Sequence, residues 1–516
     1  MICRCDRTLS LSLLSGILLA AAFPRPDFYP LAWVALVPLL LVMDERPFAS
    51  GFCTGIAFFG AVLYWLNIVM TTYGGLWPPV SLILYILLVL YLALYFGAAT
   101  WLSTRLKARV GLPILVTLPF LWVALEFLRG ILFTGFPWAL LGYSQQNFSA
   151  AIQSADVTGV YGVSFLLVAF NCALAWIISD PRSRLARLGV VFVLAMTTTH
   201  VGYGIWRNTQ SLEVRDDHWT VGLIQGNIEQ AQKWLPEYRQ RNIDSYRNLS
   251  RQAATGSVDL LIWPEAAMPF FIQDASEATQ QVLALPHELK TPLLLGGPAY
   301  ARNANERYDY FNSAFLLSST GAELGRSDKI HLVPFGEYVP LGKILTFVNR
   351  LVVSVGDFTP GEVNPLILDD RQIGVLICYE AIFPGLARSY VREGSDLLVN
   401  LTNDAWFGRS SAPYQHLAMA RFRAIENRVW LARAANTGIS ALISPTGRLV
   451  EAGPVFQPLA LTGSVGLGAG ESFYTRFGDL FAYACCVIGL ALSLLQFRRR
   501  PLFHWSRRLH GALFAP

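Results

Sequence analysis

The chain reads as a membrane protein in two parts: a bundle of about eight transmembrane helices and one extracytoplasmic α/β domain. Three observations lead there. Of the 516 residues, 53% are hydrophobic and 15% are charged, whereas an average soluble domain carries roughly 25% charged residues. The apolar excess falls in eight runs, each close to the ~20 residues that cross a bilayer as a helix. Between the seventh and eighth runs lies a long block of ordinary polarity in which strand and helix signals alternate.

The runs cover 8–23, 29–43, 51–70, 78–102, 112–132, 160–178 and 188–204, with the last near 478–497. The first follows Arg4 and Arg7 as a secretory signal would, but a second apolar run comes directly after it, so it reads as a retained helix. Loop charges set the orientation. Arg4 and Arg7, then Arg46, then Arg105, Lys107 and Arg109, then Arg182, Arg184 and Arg187, and finally Arg498 to Arg500 with Arg507 and Arg508 occupy alternate loops. Positive charge stays inside, so both termini are expected in the cytoplasm. The chain then divides into a bundle of about seven helices at 1–204, an outer domain at 205–477, and a closing helix with a basic tail at 478–516. The net charge of +5 belongs to these short loops, a membrane pattern that argues against nucleic-acid binding. Glu126 and Arg129 stand at the edge of one span, where ionisable groups are costly. They either pair with each other across one helical turn or meet a lipid headgroup.

In the outer block, strands are expected at Thr220–Gln225, Leu260–Trp263, Pro292–Gly296, Ser313–Leu317, Ile373–Ile377, Leu397–Leu401 and Ala441–Ser444. Helices are expected at about 236–253, 275–286, 385–393 and 414–428. The seven cysteines show no CxxC pair and no Cys/His ligand spacing, so neither a metal nor another cofactor is called for. Cys378 is alone in the outer block, without a disulfide partner in its own domain.

Cys378 ends an aliphatic strand, and a helix signal starts at Pro384 just beyond it. A thiol at such a turn lies near the positive end of a helix dipole, which favours the nucleophilic thiolate. Glu265 also stands at a strand end, in Leu261-Ile-Trp-Pro-Glu265, where α/β sheets place their chemistry. Lys329 and Glu337 share the stretch Asp328 to Pro340. A carboxylate can take the thiol proton, and an ammonium can steady an oxyanion. Each residue alone also has a plain reading: Cys378 as a small buried hydrophobe, Glu265 and Lys329 as surface charges.

Taken together, WPE at 263–265, DKIHLVPFGEYVP at 328–340 and ICYE at 377–380 resemble the three signature stretches of the nitrilase (carbon–nitrogen hydrolase) superfamily. The resemblance implies an α-β-β-α sandwich. It implies a triad of Glu265 as general base, Lys329 as oxyanion stabiliser and Cys378 as nucleophile, with the Tyr379 backbone N–H assisting. Glu337, Tyr379 and Glu380 would flank and orient these three. With LRGILFTGFPW at 128–138, GLIQGNIEQAQKW at 222–234, TNDAWFG at 402–408 and the helical runs, nearly the whole chain resembles the apolipoprotein N-acyltransferase family. That family implies transfer of an acyl chain from a phospholipid, usually phosphatidylethanolamine, to the α-amino group of a diacylglyceryl-cysteine apolipoprotein. It also implies the bacterial inner membrane, with the catalytic domain facing the periplasm. Trp234 and Trp406 then read as lipid-facing gates or as interfacial anchors, and Asn312 as a polar contact in the pocket. His331 and His416 read as structural residues. Two other functions fit parts of the pattern: a membrane-anchored amidase that hands its acyl group to water, and a non-catalytic membrane binding protein.

Overall fold

The computed structural model describes residues 2–210, 217–338, 358–468, 470 and 472–497, with side chains from Asp6 onward. The basic tail beyond residue 497 and the last two residues of the 328–340 motif lie outside the described residues. Helices form along every described apolar run, but not all as straight crossings. Pro78–Val110 is the longest, at 33 residues, or about 50 Å at the 1.5 Å rise of an α-helix. It starts on prolines, whose missing N–H costs nothing in a first turn, and it stops at Gly111 in the left-handed conformation (φ 79°). Ile114–Ile131, Val160–Ser179 and Arg184–Thr209 are also long and apolar enough to span.

The run at 51–70 is bent by 55° between Pro47–Val62 and Leu66–Tyr73. The run at 29–43 divides into a 3-10 turn, Tyr29–Trp33, and a short helix, Val37–Val42, each opened by a proline. By length and composition, four helices among the described residues qualify as crossings, five if the bent pair counts as one. The closing helix Leu480–Leu495 is apolar but shorter. Periodicity registers apolar length and not breaks, which is why the number of full crossings differs from the eight expected.

One end of the bundle joins the first helix, the basic stretches at 44–46 and 105–109, and the last described turn. Thr8 donates to Glu45 at 2.8 Å, Lys107 pairs with Asp44, and Arg109 reaches the Gln496 carbonyl at 3.5 Å. The opposite end holds the α/β domain. There Glu126 and Arg129, 7% and 2% exposed, hold one loop. Glu126 Oε1 accepts from the Leu141 N–H at 2.8 Å, and Arg129 Nη1 donates to the Trp138 carbonyl at 2.7 Å. Both charges therefore brace the loop that presents Trp138 to the domain above.

Among the described residues that domain has twelve strands: β1 (His218–Gln225), β2 (Leu260–Ile262), β3 (Leu293–Arg302), β4 (Tyr308–Leu317), β5 (Glu323–Asp328), β6 (Leu366–Leu368), β7 (Arg371–Ile377), β8 (Leu397–Thr402), β9 (Leu431–Ala435), β10 (Ala441–Ile443), β11 (Leu449–Ala452) and β12 (Leu459–Gly466). They form two six-stranded sheets, ordered β12-β1-β2-β3-β4-β5 and β11-β10-β9-β8-β7-β6. Alternate residues of each strand point to opposite faces. Val221, Leu223, Leu260 and Ile262 of one sheet meet Ile373, Val375, Val399 and Leu401 of the other in a shared apolar layer. The outer faces are covered by Arg239–Ala253 and Glu277–Leu289 on one side and by Pro384–Arg392 and Ala412–Asn427 on the other. This is the α-β-β-α sandwich that the family resemblance implies.

All seven expected strands and all four expected helices form, with ends within three residues of those expected, except that β3 runs six residues further and β4 starts five residues earlier. Five strands were not expected. β6 is only three residues long, β11 is largely exposed, β12 is mostly half-buried, β5 is polar, and β9 (Leu-Ala-Arg-Ala-Ala) contains the fully buried Arg433. None shows the apolar signature of a core strand, because partners elsewhere in the chain decide their fate.

Ala412–Asn427 joins the two halves of the molecule. Its Gln415 donates to the carbonyls of Pro24 (3.0 Å) and Val62 (3.2 Å) and accepts from Trp138 Nε1 (2.7 Å) and Trp65 Nε1 (3.3 Å). Arg428, at its left-handed C-cap, makes two bonds to Asp156 Oδ2, at 2.7 and 3.0 Å. Arg207 at the end of Arg184–Thr209 shares that carboxylate. Asp156 has Arg207 and Tyr203 within the bundle, whereas the buried Arg428 has its carboxylate partner only while bundle and domain stay together.

Candidate active site

Three strand ends and one loop build the site. β7 runs straight into Cys378, which takes a left-handed conformation (φ 54°) and opens a 3-10 turn, Cys378–Ile382. A non-glycine residue held there costs on the order of 1–3 kcal/mol, so the surroundings must enforce it. Asn400 Nδ2 and His416 Nε2 lie 3.4 and 3.1 Å from the Cys378 carbonyl oxygen. Glu380, two residues on, ties this turn to the lysine loop. Its Oε2 accepts from the Ile377 N–H at 2.6 Å, while Oε1 accepts from Ile330 and His331 N–H at 2.6 and 2.9 Å. Lys329 immediately precedes those two amides. Glu380 thus locks the Cys378 turn against the Lys329 segment, and burial pushes its carboxyl up to about 7 despite the three donors.

Glu265 comes from the other sheet, just past β2. Its Oε2 accepts from the Asn403 N–H at 3.0 Å, across the sandwich beyond β8. Its Oε1 accepts from Asn312 Nδ2 at 2.9 Å and lies 3.6 Å from Lys329 Nζ. The same Asn312 amide nitrogen is 2.9 Å from Glu337 Oε1, which is also 2.8 Å from Lys329 Nζ. Asn312 therefore bridges two carboxylates and holds them around one ammonium. Lys329 is 1% exposed. Burial alone would strip its proton, but Glu337 and Glu265 outweigh burial and raise its pKa above the ordinary range.

Cys378 departs from the expected thiolate. Burial pushes its thiol pKa up, the Glu265 charge adds to that, and Lys329 opposes it only partly. The reason is structural: one 3-10 turn supplies little dipole, and the Lys329 ammonium is already shared between two carboxylates. The resting group is a thiol beside a carboxylate, an arrangement that calls for a general base at the moment of attack.

Around this centre, Tyr379 packs edge-on against Phe383 with ring centres 5.2 Å apart. Trp234 and Trp406, 41% and 37% exposed, stand outside the buried group. Trp406 meets Tyr73 of the bent membrane helix edge-on at 5.8 Å.

Two residues escaped sequence reasoning. His416, which reads as structural in the sequence, lies with Nε2 3.1 Å from the carbonyl oxygen of Cys378. Lys233, directly before Trp234, is 1% exposed and donates to the Glu265 carbonyl at 3.1 Å. Only its place in the stretch at 222–234 could have flagged it. Burial pulls its pKa from 10.5 to about 8, against the pull of Glu265 and Cys378. Between those two values the unfolded chain binds more protons than the folded one, so stability rises with pH across that window. Melting temperatures measured from pH 8 to 10 should show this rise in the wild type, and Lys233→Met should flatten it. Parallel profiles for the two proteins would mean that Lys233 does not titrate there.

Comparison with known proteins places this geometry. Residues 15–173 match the model for the apolipoprotein N-acyltransferase N-terminal domain, and residues 220–463 match the carbon-nitrogen hydrolase model. An apolipoprotein N-acyltransferase of Geobacter metallireducens is 48% identical over 96% of this chain and 96% of its own length. That of Methylococcus capsulatus is 36% identical over 97% of this chain and 99% of its own length. Among solved structures, an amidase from Nesterenkonia sp. AN1 aligns with 52% of this chain and 96% of its own, at 20% identity and a TM-score of 0.38. By its relatives along nearly the full length and by its two matched domains, the chain belongs to the apolipoprotein N-acyltransferase family.

Proposed function

We propose that the chain moves a fatty acyl group from a phospholipid, phosphatidylethanolamine being the expected donor, to the α-amino group of a diacylglyceryl-cysteine apolipoprotein. In this reading residues 1–204 and 478–516 anchor the protein in the bacterial inner membrane, and 205–477 do the chemistry on the periplasmic side. The observation that carries the reading is the placement of Glu265, Lys329 and Cys378. They lie in one buried group, tied together by Glu380 and Asn312, directly above a membrane bundle. Family membership and the names of the relatives support the same reaction. Clustering of the basic loops at the far end of the bundle supports the orientation.

The steps balance with the chain's own groups. Glu265 takes the Cys378 proton, sulfur attacks the acyl ester carbon, and Lys329 with backbone N–H groups steadies the oxyanion. The carbon–oxygen bond breaks, and the proton on Glu265 passes to the lysophospholipid alkoxide. A neutral amine then attacks the thioester carbon and the carbon–sulfur bond breaks. The amine's proton passes through Glu265 to sulfur, which restores the resting thiol. Two tethered lipid substrates and a protein rooted in the same bilayer meet at high local concentration, which favours the amine over water. Glu337 and Asn312 hold the two charged members, and Trp234 and Trp406 are placed to contact lipid at the rim.

The test is intact-mass spectrometry of the purified protein after incubation with phosphatidylethanolamine. The expected result is one fatty-acyl adduct, discharged by a diacylglyceryl-cysteine peptide at least tenfold faster than by water. Discharge by water at an equal rate would make the protein a hydrolase. A folded protein that takes up no acyl group would overturn both enzyme readings.

A further inference from the structure

Behind the nucleophile lies a buried polar chain that the reaction scheme does not use. Arg433 on β9 donates to Asp404 Oδ2 at 2.8 Å and also bonds Asn400. Asp404 Oδ1 accepts from Thr402 Oγ1 and lies 3.0 Å from His416 Nδ1. His416 Nε2 lies 3.1 Å from the Cys378 carbonyl oxygen. Arg433, Asp404, Asn400 and His416 are all 0% exposed. Four fully desolvated polar side chains ending on one backbone oxygen are an expensive arrangement unless that oxygen's position matters.

The proton assignment on His416 follows from its partners. A carbonyl can only accept, so Nε2 must carry the hydrogen. Nδ1 faces Arg433 Nη2 at 3.1 Å as well as Asp404. It accepts from the guanidinium when the ring is neutral and donates to the carboxylate when it is charged. In both states Nε2–H points at Cys378. Asn400 Nδ2 supplies a second donor to the same oxygen.

The peptide between Cys378 and Tyr379 is planar and trans, so its C=O and N–H point in opposite directions. A carbonyl drawn back into the buried wall sends the Tyr379 N–H the other way, out of that wall. The geometry points to His416 as a positioning residue for the acylation step: by holding the Cys378 carbonyl it aims the Tyr379 N–H at the oxyanion. This inference rests on the acyl-transfer reading above. His416 is also the point where the bundle touches the site. The Trp138 ring lies 5.8 Å from it, and Gln415, the next residue back, is bonded to Trp138.

The test uses the full-length protein and the single-turnover rate of acyl-adduct formation with phosphatidylethanolamine, across three variants. In His416→Gln the amide nitrogen reaches the place of Nε2 and keeps the donor. In His416→Asn it reaches only the place of Nδ1. In His416→Met the space is filled and no donor remains. The Asn and Met proteins are expected to acylate about 100-fold more slowly, the cost of losing one oxyanion donor, with half-saturation by lipid unchanged. The Gln protein is expected within tenfold of wild type. A purely structural role would order the variants by melting temperature instead. Equal rates for folded Gln and Asn proteins, or a folded Met protein at wild-type rate, would overturn the inference. If the wild type forms no adduct, the acyl-transfer reading itself falls, and this inference with it.

Discussion

Cys378→Ala is expected to abolish acyl-adduct formation and lower turnover by on the order of 10⁵-fold, as removal of a covalent nucleophile does when base and oxyanion site act as a unit with it. The fold should survive. Cys378 is 9% exposed, and the change removes one sulfur atom from the edge of the inter-sheet layer, a loss of about 1 kcal/mol. The Cys378 carbonyl is held by Asn400 and His416, and Glu380 holds the N–H of Ile377 just before it, all backbone bonds that alanine keeps. Melting within a few degrees of wild type, combined with no adduct in the mass spectrum, is the expected pair of results. Glu265→Gln provides the comparison, since it keeps an acceptor for Asn403 and removes the base. Because the resting sulfur is a thiol, this variant should also fail to acylate, at roughly 10²–10⁴-fold below wild type. Residual adduct on the Ala protein would place the nucleophile elsewhere.

Lys329→Met should cost both activity and stability. The lysine's ammonium lies 2.8 Å from Glu337 and 3.6 Å from Glu265 and is 1% exposed. Removing it leaves the buried Glu265 and the part-buried Glu337 sharing the single Asn312 amide nitrogen, each with one further backbone N–H, from Asn403 and Val333 respectively. Breaking a buried ion group by deleting one partner costs about 3–5 kcal/mol, because the remaining charges stay desolvated and uncompensated. Thermal unfolding of both proteins at pH 7 measures the loss. Equal melting temperatures at pH 7 would show that Lys329 is not the ion that holds this group together.

Much of the site was legible in the sequence because its parts stand at the ends of short local patterns. β2 and β7 are apolar strands that stop at Glu265 and Cys378, and periodicity finds such stops without knowing what lies across from them. The same holds for all seven expected strands and for the helices over them. Strand β9 was missed for the opposite reason. Its Arg433 looks like a surface charge until Asp404 and Asn400 are placed around it.

The sequence by itself determined where the apolar helices lie and that the block between them alternates strand and helix. These follow from local composition and spacing, which the chain displays without folding, whereas Glu265, Lys329 and Cys378 stand out as a candidate set only through the resemblance of three short motifs to a known family. Only the tertiary structure decided how those residues are held. Asn312 proved to be a bridge between two carboxylates, Glu380 a tie between two segments, and His416 a partner of the Cys378 carbonyl. It also decided the state of Cys378: the sequence pointed to a thiolate at a helix start, but burial and the sharing of Lys329 leave a thiol. Each of these contacts joins residues far apart in the chain. Their energies come from desolvation and from partners that meet only when both sheets and the bundle close around them.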